Sequence, residues 1–483
     1  MPKNKTQIPA KDSDRNLLLA ILVSFHFWSF TALTSLSASE TEIDFLSDLQ
    51  HRTFDYFWDY SDGERGLTRD RAPRRTFASV AAIGFALTAY PIGVERGFIT
   101  RSEAIDRTWK TLSFLANAPQ STHATETIGY RGFVYHFLSL DTGYRFKSVE
   151  LSSIDTALLM AGVLFCREYY DQDLPSEKAI RKLAEQLYER VEWTWMQQPS
   201  GLISHGWRPE KGTLPHAYRG YNEAMILYLL ALGSPTYPIA PNAWEAFTSS
   251  YVWARFYGQA HVNFGPLFGH HYSHLWIDFR GIRDAYMKTM GIDYFENSRR
   301  ATLAQRAYAI ANPKGWQGYG AQIWGLTACD GPANINLPYL DRQQRFFTYT
   351  ARGASALKIH DDGTLSPTAA GGSITFTPEA SIEALREMKR KYGEWIYGEY
   401  GFYDAFNPSF KFSDQTLGHG RINPELGWFD TDYLGIDQGP ILLAIENYRT
   451  QFVWETMKRS PYLQQGLRRA GFRDGWLSKH SPK

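Results

Sequence analysis

The chain has 483 residues, 43% of them hydrophobic and 21% charged, enough length and apolar content to bury a large core, which excludes a disordered polymer. Lysine plus arginine (51) matches aspartate plus glutamate (50), and no basic stripe with interleaved aromatics runs along it, so nucleic acid is excluded as a partner. Aromatics reach 15%, and flat rings either fill a core or hold sugar rings in a polar groove.

In chain order, Lys3, Lys5, Lys11 and Arg15 precede an apolar stretch from Leu17 to Ala38, and the first acidic cluster starts at Glu40. A basic segment, an apolar segment and a small-residue zone predict a signal peptide over residues 1–39, cleaved between Ser37 and Ser39. The competing reading is an uncleaved anchor, since Leu17 to Ala38 is about long enough to span a bilayer. After cleavage no stable membrane association is expected, and residues 40–483 read as one domain without an internal linker.

The remainder is helical by pattern. "EIDFLSDLQHRTFDYFWDY", "RSEAIDRTWKTLSFLANA" and "EKAIRKLAEQLYERVEWTWM" are amphipathic. Six other stretches are "TFASVAAIGFALTAY", "SSIDTALLMAGVLF", "YNEAMILYLLALG", "GAQIWGLTAC", "TPEASIEALREM" and "GIDQGPILLAIENY", of which four are apolar on nearly every face. Buried helices alternating with amphipathic ones are what a double ring of hairpins requires, because only the outer ring meets water. The predicted fold is all-α, an (α/α)6 barrel with inner helices starting near residues 76, 152, 221, 320, 377 and 435. Residues 127–151 and 261–284 read as long excursions carrying function. Cys166 and Cys329, each in an apolar helix-like run, read as two buried thiols, and no CxxC motif points to zinc.

Three of the buried helices carry a carboxylate at or beside their start: Asp155 with Glu150 upstream, Glu223 in "GYNEAM", and Asp437 in "GIDQGP". Parallel inner helices would bring these to one mouth. Each also has a structural explanation, since Ser152 and Asp155 fit a capping box and Glu223 or Asp437 would favour a helix dipole. Paired carboxylates across a cleft are the minimum for glycoside hydrolysis: one protonates the leaving oxygen and the other activates water or attacks. The acid needs a raised pKa, so burial must outweigh the dipole. "GHHYSHLWIDFR" supplies the competing reading, a polysaccharide lyase with a His or Tyr base and a neutralising Arg280; its spacing lacks the glutamate of HExxH, so no metal is assigned. His270, His271, Tyr272, His274 and Arg280 are assigned to substrate lining. A third reading is a non-catalytic periplasmic glucan-binding protein.

"FDYFWDY", "GLTRDR", "YRGFVYHFL", "ELSSIDTALLMAGVLF", "GYNEAMILYLLALGSP", "FGHHYSHLWIDFRGIRD", "WGLTACDGP", "YGFYDAFN" and "YLGIDQGPILLAIENYR" together resemble, in order over residues 43–473, the putative glucoamylase-domain family that includes glycoside hydrolase family 144. The resemblance implies an (α/α)6 barrel, bacterial secretion or periplasmic export, and inverting hydrolysis of β-1,2-glucan or its oligosaccharides without a cofactor. It implies Glu223 as general acid, Asp437 as base, and Glu150 and Asp155 as acidic groups on the donor side. In related inverting enzymes the proton also passes through a substrate hydroxyl or a water chain. Tyr221, Trp324, Asp330 and Asp404, within the resembling motifs, are taken as further substrate-binding positions.

Overall fold

The computed structural model describes residues 42–479, and residues 1–39, the expected signal, lie outside them. Residues 42–48 are helical and form a unit apart from Leu49–Lys483. The second unit begins with helical residues 49–59. It continues through α1 (Val80–Glu95), α2 (Arg101–Asn117), α3 (Ser153–Tyr169), α4 (Pro175–Glu189), α5 (Met225–Gly233), α6 (Phe268–Trp276), α7 (Tyr294–Ala311), α8 (Pro367–Gly371), α9 (Pro378–Tyr392), α10 (Gly435–Thr450) and α11 (Pro461–Arg469). The fold is an α/α toroid, 44% helical, with strands only in small two- and three-stranded sheets.

Among the described residues the inner ring is α1, α3, α5, α6, α8 and α10, each against the next, with α10 closing on α1. The apolar sequences explain why. Every residue of α5 is buried, as is all of α1 from Val80 to Gly93, so neither has a solvent face. Where α1 crosses α3 the backbones nearly touch: a Cβ on Gly162 would lie 2.1 Å from the Gly84 carbonyl oxygen, so no larger residue fits. The outer helices are amphipathic; α2 buries only Ala104, Thr108, Thr111, Leu112 and Leu115. Helix α4 packs on α3, α11 returns from the far end of the sequence to pack on α5, and α9 covers α8.

Two of the six expected inner helices are corrected. "GAQIWGLTAC" is an irregular segment entering strand β1 (Ala328–Asp330), which places Cys329 on a strand; Gly325 there has φ +135, outside helical space. "TPEASIEALREM" forms α9, an outer helix whose exposed charged face is plain in its sequence. Their stations belong to α6 and α8. Helix α6 lies inside the 261–284 stretch assigned to an excursion, and its histidines disguised a fully buried face. Helix α8 has only five residues and occupies the mouth end of its station, and Asn447 of α10 reaches the Leu275 carbonyl of α6 at 2.8 Å. The two cysteines are free and buried, as expected. No helix among the described residues is long and apolar enough to cross a membrane.

Short β segments decorate the mouth. β1 pairs with β2 (Tyr349–Ala351), and β3 (Phe406–Asn407) pairs with β4 (Gly427–Phe429). A second apolar cluster built on Trp316, Cys329, Phe346, Phe410 and Trp428 sits beneath them, and Arg352 locks Asp362 at 2.6 Å inside it. These loops are therefore as well anchored as the ring they crown.

Candidate active site

Glu223 lies just before α5, whose N-cap is Ala224, and the Ala224 N–H is held by Asn222 Oδ1 at 2.9 Å. In the first turn the Ile226 N–H is satisfied by Ser273 Oγ at 3.0 Å, so the helix start is held without the Glu223 carboxyl. The Glu223 backbone carbonyl accepts from Ser273 of α6 at 3.0 Å, which fixes the residue to the ring wall. Protein crowds its carboxyl although the residue still meets solvent, and this desolvation, with a smaller push from Asp155, raises its pKa to about 7. Burial has outweighed its contact with its own backbone N–H. At neutral pH a large fraction of Glu223 carries a proton.

Asp437 stands in the first turn of α10, 5% exposed, and its pKa is likewise raised to about 7 by burial and by Asp330 and Asp70. It lies within hydrogen-bonding reach of Asp404, whose own pKa is pushed up by burial and then by Asp437. Asp404 is set in place by its backbone: its N–H donates to the Asp432 carbonyl at 3.0 Å and Ser366 Oγ donates to its own carbonyl at 2.6 Å.

Tyr272 on α6 ties the two sides together. Burial raises its phenol pKa, and the carboxylates it feels are Asp437, Glu223 and Asp155, which come from three different inner helices. Tyr218 feels Glu223, Asp155 and Glu150. The acidic helix starts therefore open on one mouth, as parallel inner helices require.

On one flank, His136 bridges Glu150 at 2.9 Å and Asp155 at 3.5 Å, and Arg208 reaches Glu150 at 3.1 Å. Against desolvation, Asp155 and Glu150 raise the His136 pKa to about 9, and chiefly its hydrogen bond to His136 lowers that of Glu150 to about 2. Ser152 caps α3 by accepting from the Asp155 N–H at 3.2 Å, and its hydroxyl donates to the Asp155 carboxylate, so the capping box read from sequence is present in its N-cap half only. On the other flank, Arg71 bonds Asp330 at 2.7 Å and Asp70 at 3.0 Å, and Arg74 pairs with Asp432.

Several assigned lining residues do not reach this mouth. His270, His271 and His274 are at most 2% exposed; His271 Nε2 meets Ser373 Oγ at 2.8 Å, and desolvation holds the pKa of His271 and His274 down to about 3. They are neutral packing groups between α6 and its neighbours. Arg280 follows the carboxyl end of α6 and is forked onto Asp278 at 2.8 Å, away from the helix amino ends. Trp324 is fully buried, and Tyr221 is 4% exposed with its hydroxyl 3.2 Å from Ser298. Tyr272, Asp330 and Asp404 are buried too, but they lie among the carboxyls of the mouth: Tyr272 feels Asp437 and Glu223, Asp404 is within reach of Asp437, and Asp330 meets Arg71. Sequence reasoning passed over His136, Arg71, Asp430, Asp432 and Tyr349. "GLTRDR" and the three aspartates of "FDTDYLGIDQ" were the available signal.

A family model described as Putative glucoamylase matches residues 215–461, about half of the chain. The chain belongs to this family. Among glucoamylase-family relatives, a Bacteroides uniformis structure described as a putative glucoamylase is 33% identical, covering 90% of this chain and 99% of its own, with a TM-score of 0.75. The endo-β-1,2-glucanase of Chitinophaga pinensis, solved with sophorotriose and glucose, is 29% identical over 90% of this chain and 99% of its own, with a TM-score of 0.76. A curated relative, the exo β-1,2-glucooligosaccharide sophorohydrolase of Parabacteroides distasonis, is 32% identical over 89% of this chain, which spans 58% of that protein.

Proposed function

We propose that this chain hydrolyses β-1,2-glucan or its oligosaccharides with inversion, Glu223 acting as general acid and Asp437 as general base. The observation that carries the reading is a pair of carboxyls from different inner helices at one mouth, both raised to about 7. Glu223, protonated at neutral pH, gives its proton to the departing glycosidic oxygen. Asp437, with a pKa near that of Glu223, acts in the fraction of molecules where it is ionised and Glu223 is not, taking a proton from the water that attacks the opposite face of the sugar, directly or through a substrate hydroxyl. Similarity to relatives named for β-1,2-glucan and sophorose directs the choice of substrate. Tyr272, between the two carboxyls, and Tyr349, exposed on β2 and electrostatically tied to Asp404 and Asp437, supply the rings that hold the sugar.

Against the lyase alternative, its histidines are buried among packing neighbours and its neutralising Arg280 is forked onto Asp278, which leaves Tyr272 at the mouth without that cation to hold a uronate. The test is incubation with β-1,2-, β-1,3-, β-1,4- and α-1,4-glucans. We expect cleavage of the β-1,2 polymer alone, without ultraviolet-absorbing unsaturated ends, and with product sizes separating sophorose release from internal cleavage. Binding without product over long incubation would overturn the reading in favour of a sugar-binding protein. The same proposal places the protein outside the bacterial inner membrane, exported by residues 1–39; recovery of the intact N-terminus in the membrane fraction would refute cleavage.

A further inference from the structure

The acidic side of the mouth contains more carboxylate than the neighbouring arginines neutralise. Asp330, Asp404 and Asp430 are 2%, 1% and 0% exposed, and each offers an oxygen within 4.8 Å of the others. Backbone donors already fix one oxygen of two of them: the Asp330 N–H donates to Asp404 Oδ2 at 2.7 Å and the Thr431 N–H to Asp430 Oδ1 at 2.6 Å. The second oxygens are buried: Asp430 Oδ2 meets no N–H or O–H donor, and Asp404 Oδ1 has none beyond the carboxyl of Asp437, whose own Oδ2 is likewise unpartnered. Arg71 and Arg74 are directed to Asp70, Asp330 and Asp432 instead. A buried acceptor left without a partner costs about 1–3 kcal/mol, and more if charged. Two such oxygens on one rigid platform call for a positive partner.

We propose that Asp330, Asp404 and Asp430 form a binding site for a hard divalent cation of calcium size. The donors are all carboxylate oxygens, the chemistry that selects calcium, magnesium or manganese over zinc or copper. Calcium–oxygen distances of about 2.3–2.6 Å place opposite ligands up to roughly 5 Å apart, whereas magnesium's shorter bonds span about 4 Å. The three ligands come from β1, from the bend before β3 and from the segment after β4, chain regions joined here by short backbone ladders. A cation would pin these segments together beside Asp437. This inference concerns binding and does not depend on the reaction proposed above.

The test uses the whole protein, treated with EDTA and dialysed, then titrated calorimetrically with calcium chloride and separately with magnesium chloride, with thermal melting in parallel. We expect one saturable calcium per chain, weaker magnesium binding, and a melting temperature that climbs with calcium. Asp430→Asn, with a circular dichroism spectrum like that of the parent, should bind calcium at least about tenfold more weakly. If that variant does not fold, Asp330→Asn takes its place. No saturable uptake by the parent protein, tighter binding of magnesium than of calcium, or unchanged calcium affinity in a folded variant would each overturn the assignment.

Discussion

Glu223→Gln separates the catalytic from the structural meaning of Glu223, because it keeps the shape and removes the proton. The fold holds this carboxyl near pKa 7 against an ordinary value of 4.5, a gap of about 2.5 units or roughly 3 kcal/mol. A carboxyl raised on folding stabilises fully below its unfolded pKa, and that contribution is lost as pH rises through the folded value. The glutamine variant never ionises. It should match the parent near pH 4 and exceed it by up to about 3 kcal/mol above pH 8. At roughly 2 cal/mol/K per residue of unfolding entropy, a unit of this size gains about 3 °C in melting temperature for that difference. Meanwhile turnover on β-1,2-glucan should fall about a hundredfold to ten-thousandfold. A substrate with an activated aryl leaving group, where accepted, should be spared much of the loss. The assays are melting curves at pH 4.5 and 8.5 beside turnover at pH 6–7. Equal stability of the two proteins at both pH values, or more than about a tenth of parental turnover, would refute the argument.

The parent enzyme should show a narrow bell-shaped pH–rate profile centred near 7, its alkaline limb set by Glu223 losing its proton and its acid limb by Asp437 gaining one, and a profile without the alkaline limb would count against Glu223 as acid. Tyr272→Phe should cut the rate about tenfold, the worth of one hydrogen bond at the reacting centre, with little change in melting temperature. His271→Ala should do the reverse, lowering stability by about 2–3 kcal/mol in denaturant titrations while the folded fraction keeps its KM, because the ring fills a site between α6 and Gly372. His136→Gln should destabilise most between pH 4.5 and 6.5: the contribution of Glu150 is lost as pH falls towards about 2, and that of His136 as pH rises towards about 9. A stability difference independent of pH would disprove that ion pair.

The contrast between α5 and α6 shows what a sequence can and cannot say about such a ring. Helix α5 reads as inner because all nine of its residues are apolar or glycine apart from one tyrosine hydroxyl, so periodicity alone assigns it. Helix α6 is buried over Gly269–Trp276, yet it carries three histidines, each with one ring nitrogen bonded to a group outside the helix: Phe264 O for His270, Ser373 for His271 and Ser298 for His274. A one-dimensional pattern registers the imidazole and not the hydroxyl that satisfies it. The same blindness turned those histidines into expected substrate contacts. Helix α8 escaped for another reason, since five residues are too few to show a helical period.

The carboxylates follow a related logic. Glu223 and Asp437 were legible because each stands as an isolated charge beside an apolar run. Asp404 and Asp430 sit in irregular segments where an aspartate is ordinarily a turn residue, Asp330 ends the three-residue β1, and only the pairing of β3 with β4 and the bond from the Asp330 N–H to Asp404 reveal that they lie together. The concentration of under-partnered acid at one end, opposite the tightly satisfied Arg280–Asp278 fork at the other, is the physical reason for proposing the amino-terminal mouth as the catalytic end.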